Sequence, residues 1–175
     1  SVCFATGMAA IGAAMLALLR GGDHVVASRF LFGNTVSLFN TLAAHGTEVT
    51  FVDATDVANV RRALTPATKL IFVETIANPR TQVADLAGIG EVCARHGLVY
   101  VVDNTMTSPW LFRPSTVGAS LVVNALTKYI GGHGNALGGS VTDTGLFDWT
   151  RYPAIHDAYK GANPKLWAVT QIRKK

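Results

Sequence analysis

Several polar residues that could do chemistry directly follow apolar segments of the sequence, and Lys128 is the first of them. It comes after the apolar run that starts at Leu121, and glycines follow it at positions 131, 132 and 134. If Lys128 lies at the end of a buried strand, loss of solvent around its ammonium group favours the neutral amine, which is a nucleophile. A solvent-exposed lysine in a turn is the alternative interpretation of the same pattern.

Asp103 is the second candidate, because it ends the most hydrophobic run of the chain, Tyr100-Val101-Val102. A carboxylate in such a place is costly unless it is paired. One suitable partner is the protonated pyridine nitrogen of pyridoxal 5'-phosphate (PLP), which lets the ring act as an electron sink. A metal ion is the competing partner. Since no second carboxylate or histidine cluster accompanies Asp103 at ligand spacing, we favour the pyridine nitrogen and predict no metal site.

A third candidate is the start of the first predicted helix, at Thr6, Gly7 and Met8. Free backbone N–H groups at a helix start, together with the helix dipole, favour an anion such as a phosphate ester. The glycine spacing of this helix resembles a P-loop, but Ala13 and Ala14 stand where Lys and Ser or Thr are required. No G-x-G-x-x-G follows a first strand either. The sequence therefore excludes the two common nucleotide-binding patterns.

Two further residues have both a functional and a structural interpretation. Phe32 could stack on a flat ring or pack into the core. His133, within a glycine-rich turn, could act as a ligand or base, but no partner residue accompanies it in the sequence. We therefore favour a structural role for His133.

The segments around these residues alternate between helical and strand-like patterns. Helices are predicted at residues 8–19, 35–44, 56–64 and 86–95, and strands at 24–27, 48–52, 69–73, 98–102, 121–124 and 137–141. This alternation predicts an α/β fold, a three-layer, doubly wound and mostly parallel sheet. Ligands of such sheets bind beyond the carboxyl ends of the strands, where several polar residues would gather. They are Glu74, Asn78, Asp103, Asn104, Thr105, Asn124, Thr127 and Lys128.

The composition limits the partners of this protein. Of its 175 residues 49% are hydrophobic and 15% charged, which excludes a disordered chain. Three of the four net positive charges come from a C-terminal cluster, Arg173 to Lys175, so we expect no nucleic-acid partner. Cys3 and Cys93 lack the spacing of a zinc site or redox pair. There is no membrane-spanning run or export signal, so we predict a cytoplasmic protein without a membrane partner.

Five short segments together resemble the cysteine/methionine-metabolism family of PLP enzymes, which includes cystathionine γ-synthases and lyases, methionine γ-lyases and homoserine-ester sulfhydrylases. The resemblance covers nearly the whole chain, with the segments in the family's order. They are Thr6-Gly7-Met8, Leu31-Phe32-Gly33-Asn34-Thr35, Glu74-Thr75-Ile76-Ala77-Asn78-Pro79, Val102-Asp103-Asn104-Thr105 and Thr127-Lys128-Tyr129.

The resemblance implies a role for each matching residue. Lys128 would bind PLP covalently and later carry protons, and Asp103 would hold the pyridine nitrogen. Asn78 would bond the phenolic oxygen of the ring, Phe32 would stack on the ring, and Thr105 would lie near its other face. The backbone N–H groups of Gly7 and Met8, with the Thr127 hydroxyl, would hold the phosphate.

Within the family, the Gly-His-Gly turn at 132–134 and the Phe147-Asp148-Trp149 segment look most like the O-acetylhomoserine sulfhydrylases. The implied reaction is a γ-replacement of methionine biosynthesis. The substrate loses protons from Cα and Cβ, the acyloxy group leaves Cγ, and sulfide or a thiol adds to give homocysteine or methionine. Cystathionine γ-synthase, cystathionine γ-lyase and methionine γ-lyase chemistry are the alternatives.

The family also implies dimers or tetramers with shared active sites. It implies a domain boundary too: residues 1–160 would form the PLP-binding large domain, and residues 161–175 would begin the helix that leads to a C-terminal domain. The chain opens without Met at Ser1 and closes within a helical pattern, so we expect a fragment. A truncated PLP-binding domain without catalytic competence is the alternative of another class.

The chain departs from the family pattern at two site positions. Ala125 stands where the family usually has Ser, so one phosphate-binding hydroxyl is missing. A hydrogen bond to a charged group contributes about 1.5–3 kcal/mol, which predicts weaker cofactor binding. Phe32 stands where the family usually has Tyr, which keeps the stacking surface but removes a phenol that could take part in proton transfer.

Overall fold

The computed structural model describes residues 1–175 and contains seven strands and six α-helices. The strands are β1 Val2–Phe4, β2 His24–Ser28, β3 Glu48–Val52, β4 Thr68–Glu74, β5 Val99–Asp103, β6 Leu121–Ala125 and β7 Gly139–Asp143. The helices are α1 Gly7–Leu18, α2 Gly33–Ala44, α3 Val57–Ala63, α4 Leu86–His96, α5 Ser108–Leu111 and α6 Trp167–Arg173.

All seven strands belong to one sheet, in the order β1-β7-β6-β5-β4-β2-β3. Strands β3, β2, β4, β5 and β6 run parallel, while β7 is antiparallel to β6 and β1 is antiparallel to β7. Strand β5 is buried along its whole length, as expected for a central parallel strand that has helices on both faces. The polar residues that follow β4, β5 and β6 consequently meet at one edge of the sheet.

Alternating side chains of the strands build two separate cores, one on each face of the sheet. On one face, Phe72 and Val101 belong to a cluster that includes the buried stripe of α1 together with parts of α2 and α6. On the other face, Ile71 and Val102 pack with α3 and α4. The predicted three-layer, doubly wound and mostly parallel α/β fold is confirmed.

The helix boundaries follow from capping residues in the sequence. The side chains of Thr6, Asp56 and Asp85 each accept a hydrogen bond from a backbone N–H in the first turn of α1, α3 and α4. Helix α4 ends at Gly97, whose φ of 65° is the left-handed conformation that glycine adopts without strain. Each of these residues directly precedes the first residue of its helix.

The antiparallel edge of the sheet is where the sequence prediction was least accurate. The strand expected at 137–141 begins two residues later, at Gly139, and the side chain of Leu137 is 75% exposed. Strand β1 was not predicted at all. Its three residues pair only with β7, more than 130 positions away, and such a distant pairing leaves no local pattern in the sequence.

The fold predicts opposite effects for two glycine-to-alanine substitutions within helices. A Cβ on Gly90 in α4 would overlap the carbonyl oxygen of Val117, whereas a Cβ on Gly12 in α1 would meet no atom within 4 Å. We expect Gly90→Ala to lower the free energy of unfolding by about 1–3 kcal/mol because backbone must move. Gly12→Ala should raise it by about 0.5–1 kcal/mol through helix propensity. Urea unfolding followed by circular dichroism measures both, and equal effects would contradict this packing.

Candidate active site

A cavity of about 690 Å³ opens at the carboxyl ends of β4, β5 and β6, beside the start of α1. Every site residue that we predicted from the sequence lines it, although these residues are spread over more than 120 positions. They are Gly7, Met8, Phe32, Asn78, Asp103, Thr105, Thr127 and Lys128. Twelve other residues complete the wall, among them Glu74, Ala125 and Tyr129. The cavity thus joins the predicted residues into one site.

The first turn of α1 forms one side of the cavity and offers free hydrogen-bond donors. The Thr6 hydroxyl accepts the N–H of Ala9 at 3.0 Å, while the N–H groups of Gly7 and Met8 have no partner within the chain. The helix start is closely packed, because a Cβ on Gly7 would lie 2.7 Å from the Cβ of Ala125. Glycine is therefore required here, and the arrangement suits a phosphate group.

Asp103 lies at the floor of the cavity and is held through one of its two oxygens. Its Oδ1 accepts the N–H of Thr105 at 2.9 Å and the hydroxyl of Thr105 at 2.5 Å. That hydroxyl also accepts the N–H of Ala125 at 2.8 Å, which ties the carboxylate to the end of β6. Oδ2 makes no hydrogen bond within the chain. Burial raises the pKa of Asp103 despite the two bonds from Thr105, so a cationic partner would stabilise the ionised form.

Lys128 lines the cavity, but its environment differs from the expectation. It is exposed, three residues beyond the end of β6, in a turn where its N–H bonds the carbonyl oxygen of Ala125 at 3.2 Å. Of the two interpretations of the sequence pattern, the structure shows the exposed lysine in a turn, because β6 ends before Lys128. Its place on the cavity wall agrees with the prediction that the polar residues after the strands gather at a ligand site.

Thr127 and Phe32 also line the cavity. The Thr127 hydroxyl donates to the carbonyl oxygen of Gly138 at 3.3 Å and accepts the N–H of Gly138 at 3.1 Å, which links the Lys128 turn to the segment before β7. Phe32 precedes α2 and its ring is 43% exposed, so it is available for stacking rather than buried in the core.

Glu74 is the site residue that sequence reasoning did not assign. It lies at the end of β4, paired in register with Asp103, and its side chain is 7% exposed. Its Oε1 accepts the N–H of Phe32 at 2.6 Å, and its Oε2 accepts the N–H of Asn78 at 3.3 Å. Burial, with a smaller contribution from the Asp103 charge, raises the pKa of Glu74 to about 7. Its strand-end position was visible in the sequence, but its backbone partner at Phe32 was not.

Other sequence features lie outside the cavity. His133 is exposed, and its Nδ1 is 3.2 Å from the carbonyl oxygen of Gly131, in accord with a structural role. Trp149 is buried and its Nε1–H donates to Asp143 at 2.7 Å, so the Phe-Asp-Trp segment supports the fold. No group of three or more His, Cys, Asp or Glu side chains is placed to bind a metal ion. No helix has the length and apolar character to cross a membrane.

The cavity fits PLP on three observations of its own residues. The free N–H groups of Gly7 and Met8 suit the phosphate, and the open Oδ2 of buried Asp103 suits a protonated ring nitrogen. An exposed aromatic ring at Phe32 and an amine at Lys128 lie on the wall of the same cavity. Its volume is also within the range of small-molecule sites.

Comparison with known proteins agrees with this fit. The family model for Cys/Met metabolism PLP-dependent enzymes matches residues 1–171. A canavanine gamma-lyase of Pseudomonas canavaninivorans is 46% identical over 146 residues, which are 82% of this chain and 36% of the lyase.

Two solved structures are similar in fold as well. The O-acetylhomoserine sulfhydrylase of Wolinella succinogenes is 42% identical with a TM-score of 0.89, over 99% of this chain and 49% of that one. A putative O-acetylhomoserine (thiol)-lyase of Campylobacter jejuni is 31% identical with a TM-score of 0.86, over 98% and 45%. The latter contains N'-pyridoxyl-lysine-5'-monophosphate.

The chain thus spans less than half the length of these three proteins. The family model matches nearly all of this chain. The eight predicted residues line one cavity at the carboxyl ends of the parallel strands. The chain belongs to the Cys/Met metabolism family of PLP-dependent enzymes.

Proposed function

We propose that the cavity at the carboxyl ends of β4, β5 and β6 binds PLP and that Lys128 attaches it covalently. The observation that carries this proposal is the gathering of all eight predicted residues around one cavity. The Lys128 turn follows β6, and β6 pairs with β5, the strand that ends at the buried carboxylate of Asp103. One cavity can thereby place Asp103 at the ring nitrogen of PLP and Lys128 at the carbon to which the lysine attaches.

Each side chain then has one task. Asp103 accepts the ring N–H through Oδ2, while Thr105 fixes the carboxylate through Oδ1. Gly7 and Met8 donate their N–H groups to the phosphate, with Thr127 beside them. Phe32 stacks on the ring, and Asn78 donates to its phenolic oxygen.

PLP when bound supplies an electron sink for the negative charge that develops at the substrate's Cα. Lys128 would hold and move the proton between Cα and the neighbouring carbons. Its exposed position within the turn leaves the amine on the wall of the cavity. Glycines at 131, 132 and 134 let the turn close tightly, since Gly132 and Gly134 have φ of 74° and 65°.

For the complete protein we propose γ-replacement on O-acetylhomoserine, or another homoserine ester, by sulfide or a thiol. The similarity to a sulfhydrylase over 99% of this chain supports it, as do the Gly-His-Gly turn and the Phe-Asp-Trp segment. The acyloxy group leaves from Cγ as a carboxylate, and the sulfur forms a new bond to the same carbon. Homocysteine or methionine is the product.

A γ-elimination is the second candidate, because the canavanine gamma-lyase is 46% identical to this chain. In an elimination no sulfur nucleophile adds, and the carbon skeleton is released as an oxo acid with ammonia. A third candidate is not an enzyme in its own right: a PLP-binding domain that binds the cofactor but does not catalyse the reaction by itself. We also propose that the complete protein is a homo-oligomeric, cytoplasmic enzyme, as the resemblance to the family implies.

The activity of the complete protein tests this proposal. We expect O-acetylhomoserine and sulfide to give homocysteine, and Lys128→Ala to reduce the rate at least about 100-fold, because the proton carrier is lost. Lys165→Ala, at an exposed position away from the cavity, is the matched control and should keep the wild-type rate. Release of oxo acid without any homocysteine would favour elimination, and full activity of Lys128→Ala would refute the site.

The alanine at position 125 predicts a gain of cofactor affinity on substitution. Ala125 lines the cavity next to Gly7, so Ala125→Ser adds a hydroxyl beside the phosphate position. We expect PLP to bind about tenfold more tightly, as one added hydrogen bond to a charged group would produce. Titration of the apo protein followed by fluorescence measures it. Ala94→Ser on the exposed side of α4 serves as the control, and equal affinities of the two variants would contradict the prediction.

A further inference from the structure

Two segments of the cavity wall are joined by one side chain. The segment before α2 carries Phe32, and the segment after β4 carries Asn78. The only hydrogen bonds that connect them run through Glu74, whose two carboxylate oxygens accept the N–H of Phe32 at 2.6 Å and of Asn78 at 3.3 Å. A gap of about 290 Å³ lies between the same segments, lined by Phe30, Leu31 and Pro79 among others. Direct packing between the two segments is therefore incomplete at this gap.

The side chains on these segments have little support of their own. Phe32 is 43% exposed and makes no aromatic pair, and Asn78 is exposed. Neither side chain makes a hydrogen bond to the rest of the chain. The position of the Phe32 ring and of the Asn78 amide thus depends on where the backbone N–H groups are held.

The carboxylate group through which Glu74 joins the two segments is also informative. Glu74 is buried at the end of β4 beside Asp103, its register partner on β5, where a second carboxylate is unfavourable. The groups that face it are the Asp103 carboxylate and the two backbone N–H donors of Phe32 and Asn78. A glutamine in the same place would accept only one of these N–H groups, since its amide nitrogen cannot accept the other. Only a carboxylate serves both donors.

We propose that Glu74 is a positioning residue for the PLP reaction, which sets the Phe32 ring and the Asn78 amide around the cofactor by holding the backbone of both segments. The inference rests on the proposed function, because the two side chains are the proposed ring neighbours. Glu74 itself touches neither the ring nor the reacting atoms in this role.

The test compares Glu74→Gln with Glu91→Gln in the complete holoenzyme. Glu91 lies on the exposed face of α4, so its variant controls for the loss of a carboxylate. In Glu74→Gln we expect a shift and a loss of intensity in the visible circular dichroism band of bound PLP. We also expect kcat to fall about tenfold, with KM changed less, because one charge-assisted hydrogen bond is lost. Glu91→Gln should match the wild type, and a Glu74→Gln enzyme with unchanged band and kcat overturns the proposal.

A second measurement separates positioning from a direct electrostatic effect of Glu74 on Asp103. In a background of Phe32→Ala and Asn78→Ala, Glu74→Gln should cause no further change in the band, since the side chains through which it acts are gone. A further shift in that background overturns the proposal. If Glu74→Gln fails to fold, Glu74→Asp, which keeps the charge on a shorter side chain, is compared in both backgrounds with the same two outcomes.

The failures can be told apart. If borohydride fixes PLP to Lys128 in the wild type and in Glu74→Gln, but the two bands are identical, only the positioning role is refuted. If the wild type carries no PLP on Lys128, the proposed function fails and the role of Glu74 fails with it.

Discussion

The burial of the Asp103 carboxylate at the end of the central strand is the constraint on which the site depends. Strand β5 is buried along its whole length, so a charge at its end has lost most of its solvent. Thr105 satisfies one oxygen, and the other remains open to the cavity. Such a group is stable as an anion when a cation lies against it, and a pyridinium nitrogen meets that need. The hydroxyl of Thr105 extends this constraint to β6 through the N–H of Ala125.

The parallel order of the strands converts that local constraint into a site. Strands β4, β5 and β6 are neighbours, so Glu74, Asp103 and the Lys128 turn follow one another along the same edge. The start of α1 closes this edge, with Gly7 against Ala125. Free backbone N–H donors, a carboxylate oxygen without a hydrogen bond and an amine thereby line one cavity. Glu74 adds a second buried carboxylate, and its two backbone donors offset only part of the cost of burying its charge.

The central fold could be predicted from the sequence because its signals are local. Continuous apolar runs such as Val99 to Val102 mark buried parallel strands, and caps such as Asp85 mark helix starts. The eight site residues could be named from strand ends and from resemblance, and all of them line the cavity. Strand β1 and the role of Glu74 could not, because each depends on a partner far away in the sequence. The sequence left open whether Lys128 is buried or exposed, since its exposure depends on where β6 ends and on which segments cover the turn.

Covalent capture of the cofactor tests the central claim most directly. The protein is equilibrated with PLP, reduced with borohydride and digested, and the modified lysine is identified by mass spectrometry. The account predicts one pyridoxyl group, on Lys128, and none in Lys128→Ala under the same conditions. Modification of another lysine, such as Lys69 or Lys160, with Lys128 unmodified would contradict it.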